Sequence, residues 1–192
     1  MARQCRVDND QIRAQLLETA LHEFLAYGYS GASLRRICHQ VGVVVSTIYR
    51  FWRDKDDLYG EVLRPVLNEL EEFMRARDQG EEVRVYIATP DRYIRERAEW
   101  LSKVVTQYRG ELRLLLQRSA GSSLEHYPQM FEMRQQAVNR MFVARLRELL
   151  PNAQQWPSEF FFRAISAGWV RILDLLVTND NVEEEEVRRL LQ

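Results

Sequence analysis

Gly42 stands between two short segments whose apolar residues recur at helical steps, and no other feature narrows so far what the chain can fold into. Before it, Leu34, Ile37, Cys38 and Val41 share one face of a helix that Ser33 can cap. After it, Ile48 and Phe51 lie three residues apart and can pack back on the first helix, which leaves Ser46, Thr47, Tyr49 and Arg50 facing outward. A tight turn between crossing helices usually needs positive φ, which glycine adopts without the steric cost of a Cβ. The stretch Ser33–Phe51 therefore has the spacing of a helix-turn-helix, with an outward set suited to a DNA major groove. Small three-helix domains also use such a turn, so the motif alone leaves both readings open.

Charge is concentrated on the same stretch. The whole chain carries a formal net charge of −1. Between Ser33 and Lys55, however, Arg35, Arg36, Arg50, Arg53 and Lys55 face only Asp54. A local patch is all that phosphate neutralisation requires, because counterion release depends on groups at the interface. Asp54 can cap a following helix, with Asp56 and Asp57 in its first turn. Lys55 is electrostatically out of place at that helix start, and a phosphate partner would account for it.

The flanks carry a resemblance. The Phe24 helix ending in Gly28-Tyr29, Ile37 before the turn, Gly42-Val43, Thr47-Ile48-Tyr49, the pair Phe51-Trp52 and Lys55 together make Ile12 to Leu63 resemble the DNA-binding domain of the TetR family of bacterial transcriptional regulators. Three positions depart from the family's pattern: Ala32 replaces a phosphate-touching threonine, Cys38 a small alanine, and Val44 the residue that caps the recognition helix. The expected DNA contacts are Ser33, Arg35, Val45, Ser46, Thr47, Tyr49, Arg50 and Lys55, with Tyr49 and Lys55 at phosphates and Val45 and Arg50 on the groove side. Ahead of the first helix, read from Asp10 to Tyr27, Arg3 and Arg6 sit on a tail or a minor-groove arm.

The remaining chain reads as helical. Leu58, Val62, Val66, Leu70 and Phe73 continue past Pro65, so a long connecting helix over 55–77, kinked near its middle, joins a domain at 1–54 to one at 78–192. The alternation in Val83-Arg84-Val85-Tyr86-Ile87 has no second strand to pair with and predicts an extended connector. Thr89-Pro90-Asp91 has the form of a capped helix start. Helices are then expected to Gln107, over Glu111–Arg118 and Pro128–Leu150, and from Asn181 onward. The fold class is all-α, an N-terminal three-helix helix-turn-helix domain joined by a long helix to a helical C-terminal domain.

The segment from Ser158 to Thr178 is apolar almost all round and so must be covered on more than one side. A homodimer is the commonest way to close such a face. Ala164, Gly168, Trp169, Ile172 and Leu176 are the expected interface. A central core helix in a monomer is the alternative. The TetR resemblance implies a pocket in the C-terminal domain for a small-molecule effector, whose binding moves the connecting helix. Trp100, Val104, Tyr108, Tyr127, Phe131, Arg134, Met141 and Phe162 are its candidate lining, and Pro65 the candidate hinge.

Excluded classes bound the rest. No apolar run reaches the ~18 residues of a membrane span, and the N-terminus lacks a signal-peptide core, so a cytoplasmic protein is expected. Cys5, Cys38, His22, His39 and His126 have no metal-ligand spacing. No cofactor is implied, and no nucleophile-base pair or phosphate loop supports an all-helical enzyme. The expectation is a repressor binding double-stranded operator DNA as a homodimer and released by a small molecule. A DNA-binding regulator without such a ligand stands as the alternative.

Overall fold

The computed structural model describes residues 2–78, 81–152 and 158–179, and every helix or strand among them is an α-helix. The elements are α1 (Ala2–Gly31), α2 (Leu34–Val41), α3 (Val45–Ile48), α4 (Lys55–Asp78), α5 (Glu81–Ala88), α6 (Pro90–Gln107), α7 (Arg109–Gln117), α8 (Tyr127–Leu149) and α9 (Glu159–Thr178). They form two compact units. The first holds the described residues through Pro65 together with Gly110–Glu125, and the second holds Val66–Arg109 and the described residues from His126. Among the described residues no helix is long and apolar enough to cross a membrane.

In the first unit, Leu16, Ala20 and Phe24 recur every four residues along α1 and are fully buried. Ile37 from α2, Ile48 from α3 and Leu58, Tyr59 and Leu63 from α4 complete the core. Gly28 interrupts α1 with φ 68° and ψ 172°, a backbone conformation that only glycine reaches without strain. The break frees the Tyr29 N–H to donate to the Arg118 carbonyl at 2.9 Å. Tyr59 packs edge-on against Phe24 and Tyr29, with ring centroids at 4.8 and 5.1 Å. Its hydroxyl donates to the Leu114 carbonyl at 3.2 Å and lies 3.1 Å from Ser119 Oγ. This polar tie fixes 110–125 to the first unit.

In the second unit, Leu101, Val104 and Val105 of α6, Val138 and Leu146 of α8, and Leu173, Leu176 and Val177 of α9 are buried. Ser158 caps α9 by accepting the Phe161 N–H at 3.2 Å. At the other end, Arg109 donates to the Leu176 and Asn179 carbonyls at 3.0 and 2.7 Å, placing a cation at the negative end of the helix.

Three sequence expectations are corrected. Val83–Ile87 is not an extended connector but lies within α5: Val83 is buried while Val85 and Ile87 are exposed, so the alternation was not that of a strand face. Thr89 does not cap α6 with its side chain. Its hydroxyl instead donates back to the Val85 carbonyl at 3.1 Å, because α5 runs up to Ala88 and needs its final carbonyls satisfied. The segment holding Arg3 is helical backbone from Ala2 onward rather than a tail. The helix expected from Asn181 falls outside the described residues.

Candidate nucleic-acid interface and effector cavity

The helix-turn-helix is held from behind by one buried carboxylate. Ser33 accepts the Arg36 N–H at 3.5 Å and so caps α2. Glu23 of α1, itself buried, accepts the Ser33 N–H at 2.9 Å and Arg36 Nε at 2.8 Å. Gly42 takes φ 78° and ψ 27°, and its N–H donates to His39 while Val43 N–H donates to Cys38. Both bonds finish α2 as the glycine turn requires. Burial holds the Cys38 thiol above its ordinary pKa.

Ile48 then turns wholly inward, while Ser46, Tyr49 and Arg50 are exposed and Val45 and Thr47 half-buried. The α3 helix is only one turn long and Val44 supplies it no side-chain cap, as a valine must not. Trp52 is buried beneath it, with the Arg13 guanidinium 5.6 Å from its ring centre.

The basic residues differ in what holds them. Arg35 is exposed on α2. Arg36 is engaged by Glu23 and lies 4.3 Å over the Tyr27 ring. Arg50 donates to Asn9 Oδ1 at 3.1 Å, and Arg53 pairs with Asp57 at 3.6 Å. Lys55 is the most constrained. Its ammonium donates to the Tyr29 carbonyl at 2.8 Å and lies 3.4 Å from those of Ser30 and Ala32, above the Tyr29 ring at 4.4 Å. The last carbonyls of α1 thus offset the cation's unfavourable position at the start of α4, where Asp54 caps by accepting the Asp57 N–H at 2.8 Å.

The second unit holds a partly open cavity of about 390 Å³. Trp100 and Phe131, both expected from the sequence, line it, whereas Val104, Tyr108, Tyr127, Arg134 and Met141 do not. Val104 is buried in the core and Met141 is exposed. Tyr108 ends α6. Tyr127 stacks on Phe131 at 6.2 Å, and burial, then the charge of Glu71, raises its pKa to about 12. Arg134 pairs with Glu71 rather than facing the cavity as an anion site. The Phe162 side chain lies outside the described residues. Sequence reasoning missed Arg97, which pairs with Glu82 and stands over the Phe73 and Tyr93 rings at 4.7 and 5.0 Å. It also missed Gln135 and Asn139, polar residues in the lining.

The outer sides of α8 and α9 carry exposed apolar residues, among them Met130, Met133, Phe160, Ile172 and Leu175. Ala164 is exposed, and a Cβ at Gly168 would meet nothing within 4 Å. Trp169 lines the cavity, and Leu176, only 4% exposed, turns into the unit's own core. Neither is free to form the outer face expected of it. Among the described residues no cluster of His, Cys, Asp and Glu is arranged to hold a metal.

Residues 16–62, the span of this helix-turn-helix, match the family model described as bacterial regulatory proteins, tetR family. The HTH-type transcriptional regulator Rv1816 of Mycobacterium tuberculosis is 33% identical over 84 residues, which cover 41% of this chain and 36% of that protein. The chain thus spans about a third of the length of that curated relative. Over the whole fold, the structure is similar to NalD, the secondary repressor of the MexAB-OprM multidrug efflux pump in Pseudomonas aeruginosa, with TM-score 0.68 and 19% identity over 95% of this chain and 93% of that one. It is also similar to the transcriptional regulator FadR from Bacillus subtilis in complex with stearoyl-CoA, with TM-score 0.59 and 14% identity over 93% and 96% of the two chains. The helix-turn-helix unit over residues 16–62 is thus that of the tetR family of bacterial regulatory proteins.

Proposed function

We propose that the chain is a cytoplasmic DNA-binding transcriptional repressor that binds a pseudo-palindromic operator as a homodimer and is released by a small molecule. The reading is carried by the exposed edge of Ser46, Tyr49 and Arg50, backed by the buried Ile48 and flanked by the exposed Arg35. Such an edge offers hydroxyl and guanidinium donors to phosphates and base edges while its apolar side is fixed in the core. Ser33, Val45, Thr47 and Lys55 complete the DNA contacts.

A recognition helix this short reads few base pairs, so two copies related by a two-fold axis are needed for a useful operator. The exposed apolar sides of α8 and α9 supply the pairing surface, with Ala164, Gly168 and Ile172 at its centre. The cavity has the size of a small-molecule site. That favours an effector over a regulator that answers to no ligand. Leu70 and Phe73 of α4 line the cavity, and the same helix begins with Lys55. An effector pressing on that wall shifts α4, with Pro65 absorbing the motion, and changes the spacing of the paired recognition helices.

Titration of a fluorescent random-sequence duplex with the purified protein, from low to high salt, tests the DNA-binding step. Affinity falling linearly on logarithmic axes is expected, from release of several phosphate counterions. No binding at the lowest salt overturns the reading.

A further inference from the structure

The chemistry of the cavity specifies its occupant more closely, a step that rests on the effector reading above. Among the described residues, eight aromatic side chains line the space of about 390 Å³. Phe73 and Trp100 stack face to face at 4.0 Å with 15° between their planes, and Arg97 stands over the Phe73 ring, so the flat π surface this wall offers is the face of Trp100 turned away from Phe73. Aromatic faces and edges reward a flat ring beyond the area it buries, whereas an aliphatic chain gains the area alone.

Charge sets a second limit. Among the described lining residues, Arg97 is the one with a charged side chain, and Glu82 already pairs with it. An anionic ligand must therefore compete with Glu82 for the guanidinium. A cationic ligand meets a like charge, and the Phe73 and Tyr93 faces that would attract it already hold Arg97. Either ion also gives up its hydration on entry.

Hydrogen bonding sets the third. The indole N–H groups of Trp100 and Trp169, both in the lining, have no hydrogen-bond partner among the described residues. An indole N–H can only donate, so these positions ask for an acceptor oxygen on the ligand.

We infer that the cavity takes a neutral, flat, multi-ring aromatic compound bearing a carbonyl-type acceptor. The occupant stacks on the open face of Trp100, and its oxygen accepts from the Trp169 indole N–H, because the N–H of Trp100 lies in the plane of its own ring. Neither Arg97 nor Glu82 leaves its partner.

Five probes test this against the full chain by thermal shift and titration calorimetry: 9-fluorenone, fluorene, fluorenone-2-carboxylate, 9-aminoacridine and stearoyl-CoA. Fluorenone is expected to bind tightest, with fluorene weaker by about 2–12-fold for one lost hydrogen bond. The carboxylate and the aminoacridine cation should be weaker by about tenfold or more, as an uncompensated charge demands. Trp100→Leu should weaken fluorenone and fluorene alike, and Trp169→Phe should keep the aromatic lining while erasing the difference between the two. Tighter binding of a charged probe or of stearoyl-CoA overturns the ligand class yet leaves an effector site in place. Failure of all five probes to bind overturns the ligand class.

Discussion

Ser33 donates its backbone N–H to Glu23 at 2.9 Å, so a buried carboxylate in the middle of α1 closes the start of α2 from outside the helix. The same oxygen holds Arg36 at 2.8 Å. Glu23→Ala leaves a buried backbone donor unsatisfied and is expected to lower the unfolding free energy by about 1–3 kcal/mol. Urea unfolding followed by circular dichroism reads this as a lower midpoint. A change below ~0.5 kcal/mol, the range of an ordinary surface substitution, would contradict the assigned role.

Burial raises the Tyr59 hydroxyl to a pKa of about 12. In the unfolded chain it returns to about 10. The unfolded state therefore releases the proton first, and the contribution of Tyr59 is full below pH 10 and lost as pH rises toward 12. Unfolding measured between pH 9 and 11.5 should show stability falling by up to about 1.4 kcal/mol per pH unit from this group above pH 10. Tyr59→Phe should flatten that decline, and an unchanged slope would count against the buried hydroxyl.

Contacts to phosphates and contacts to bases separate by their response to sequence. Tyr49→Phe should weaken binding to all duplexes alike, and Lys55→Ala should also lower the salt slope by about 1. Lys55→Ala should in addition cost stability, because its ammonium holds the carbonyls at the end of α1. Arg50→Ala and Val45→Ala should change which sequences are preferred. The expected cost at the affected base pair is about 1–3 kcal/mol. Uniform weakening by Arg50→Ala would move Arg50 from the groove to the backbone.

Phe160 is 77% exposed on the outer side of α9, and Met133 70% exposed on α8. Phe160→Asp puts a charge into the pairing surface and should convert the dimer to monomer in sedimentation velocity, leaving the helical circular dichroism unchanged. Operator affinity should fall with it. A monomeric wild-type protein would rule out this surface as the pairing face.

Local rules explain which features were legible in the sequence. The cap at Ser33, the left-handed Gly42 and the inward Ile48 each depend on neighbours within a few residues, and each stands in the structure as its pattern implied. Val83–Ile87 misled because an alternating run of five residues is too short to distinguish a strand from a helix packed along one side. The tie of 110–125 to the first unit rests on Tyr59 meeting Leu114 and Ser119, contacts 55 and 60 residues apart that leave no periodic trace. Arg97 was overlooked for a similar reason: its role comes from Glu82, Phe73 and Tyr93, on two other helices and its own. Trp100 and Phe131 were legible because each falls on the apolar stripe of its own helix, and the cavity lies along those stripes.

The most direct test of the central claim is selection of bound duplexes from a random pool by the purified protein. The expected product is a pseudo-palindrome whose half-sites lie about 34–36 Å apart, or a multiple of that spacing. Selection of a single asymmetric half-site would contradict the homodimer, and no enrichment at low salt would contradict operator binding itself.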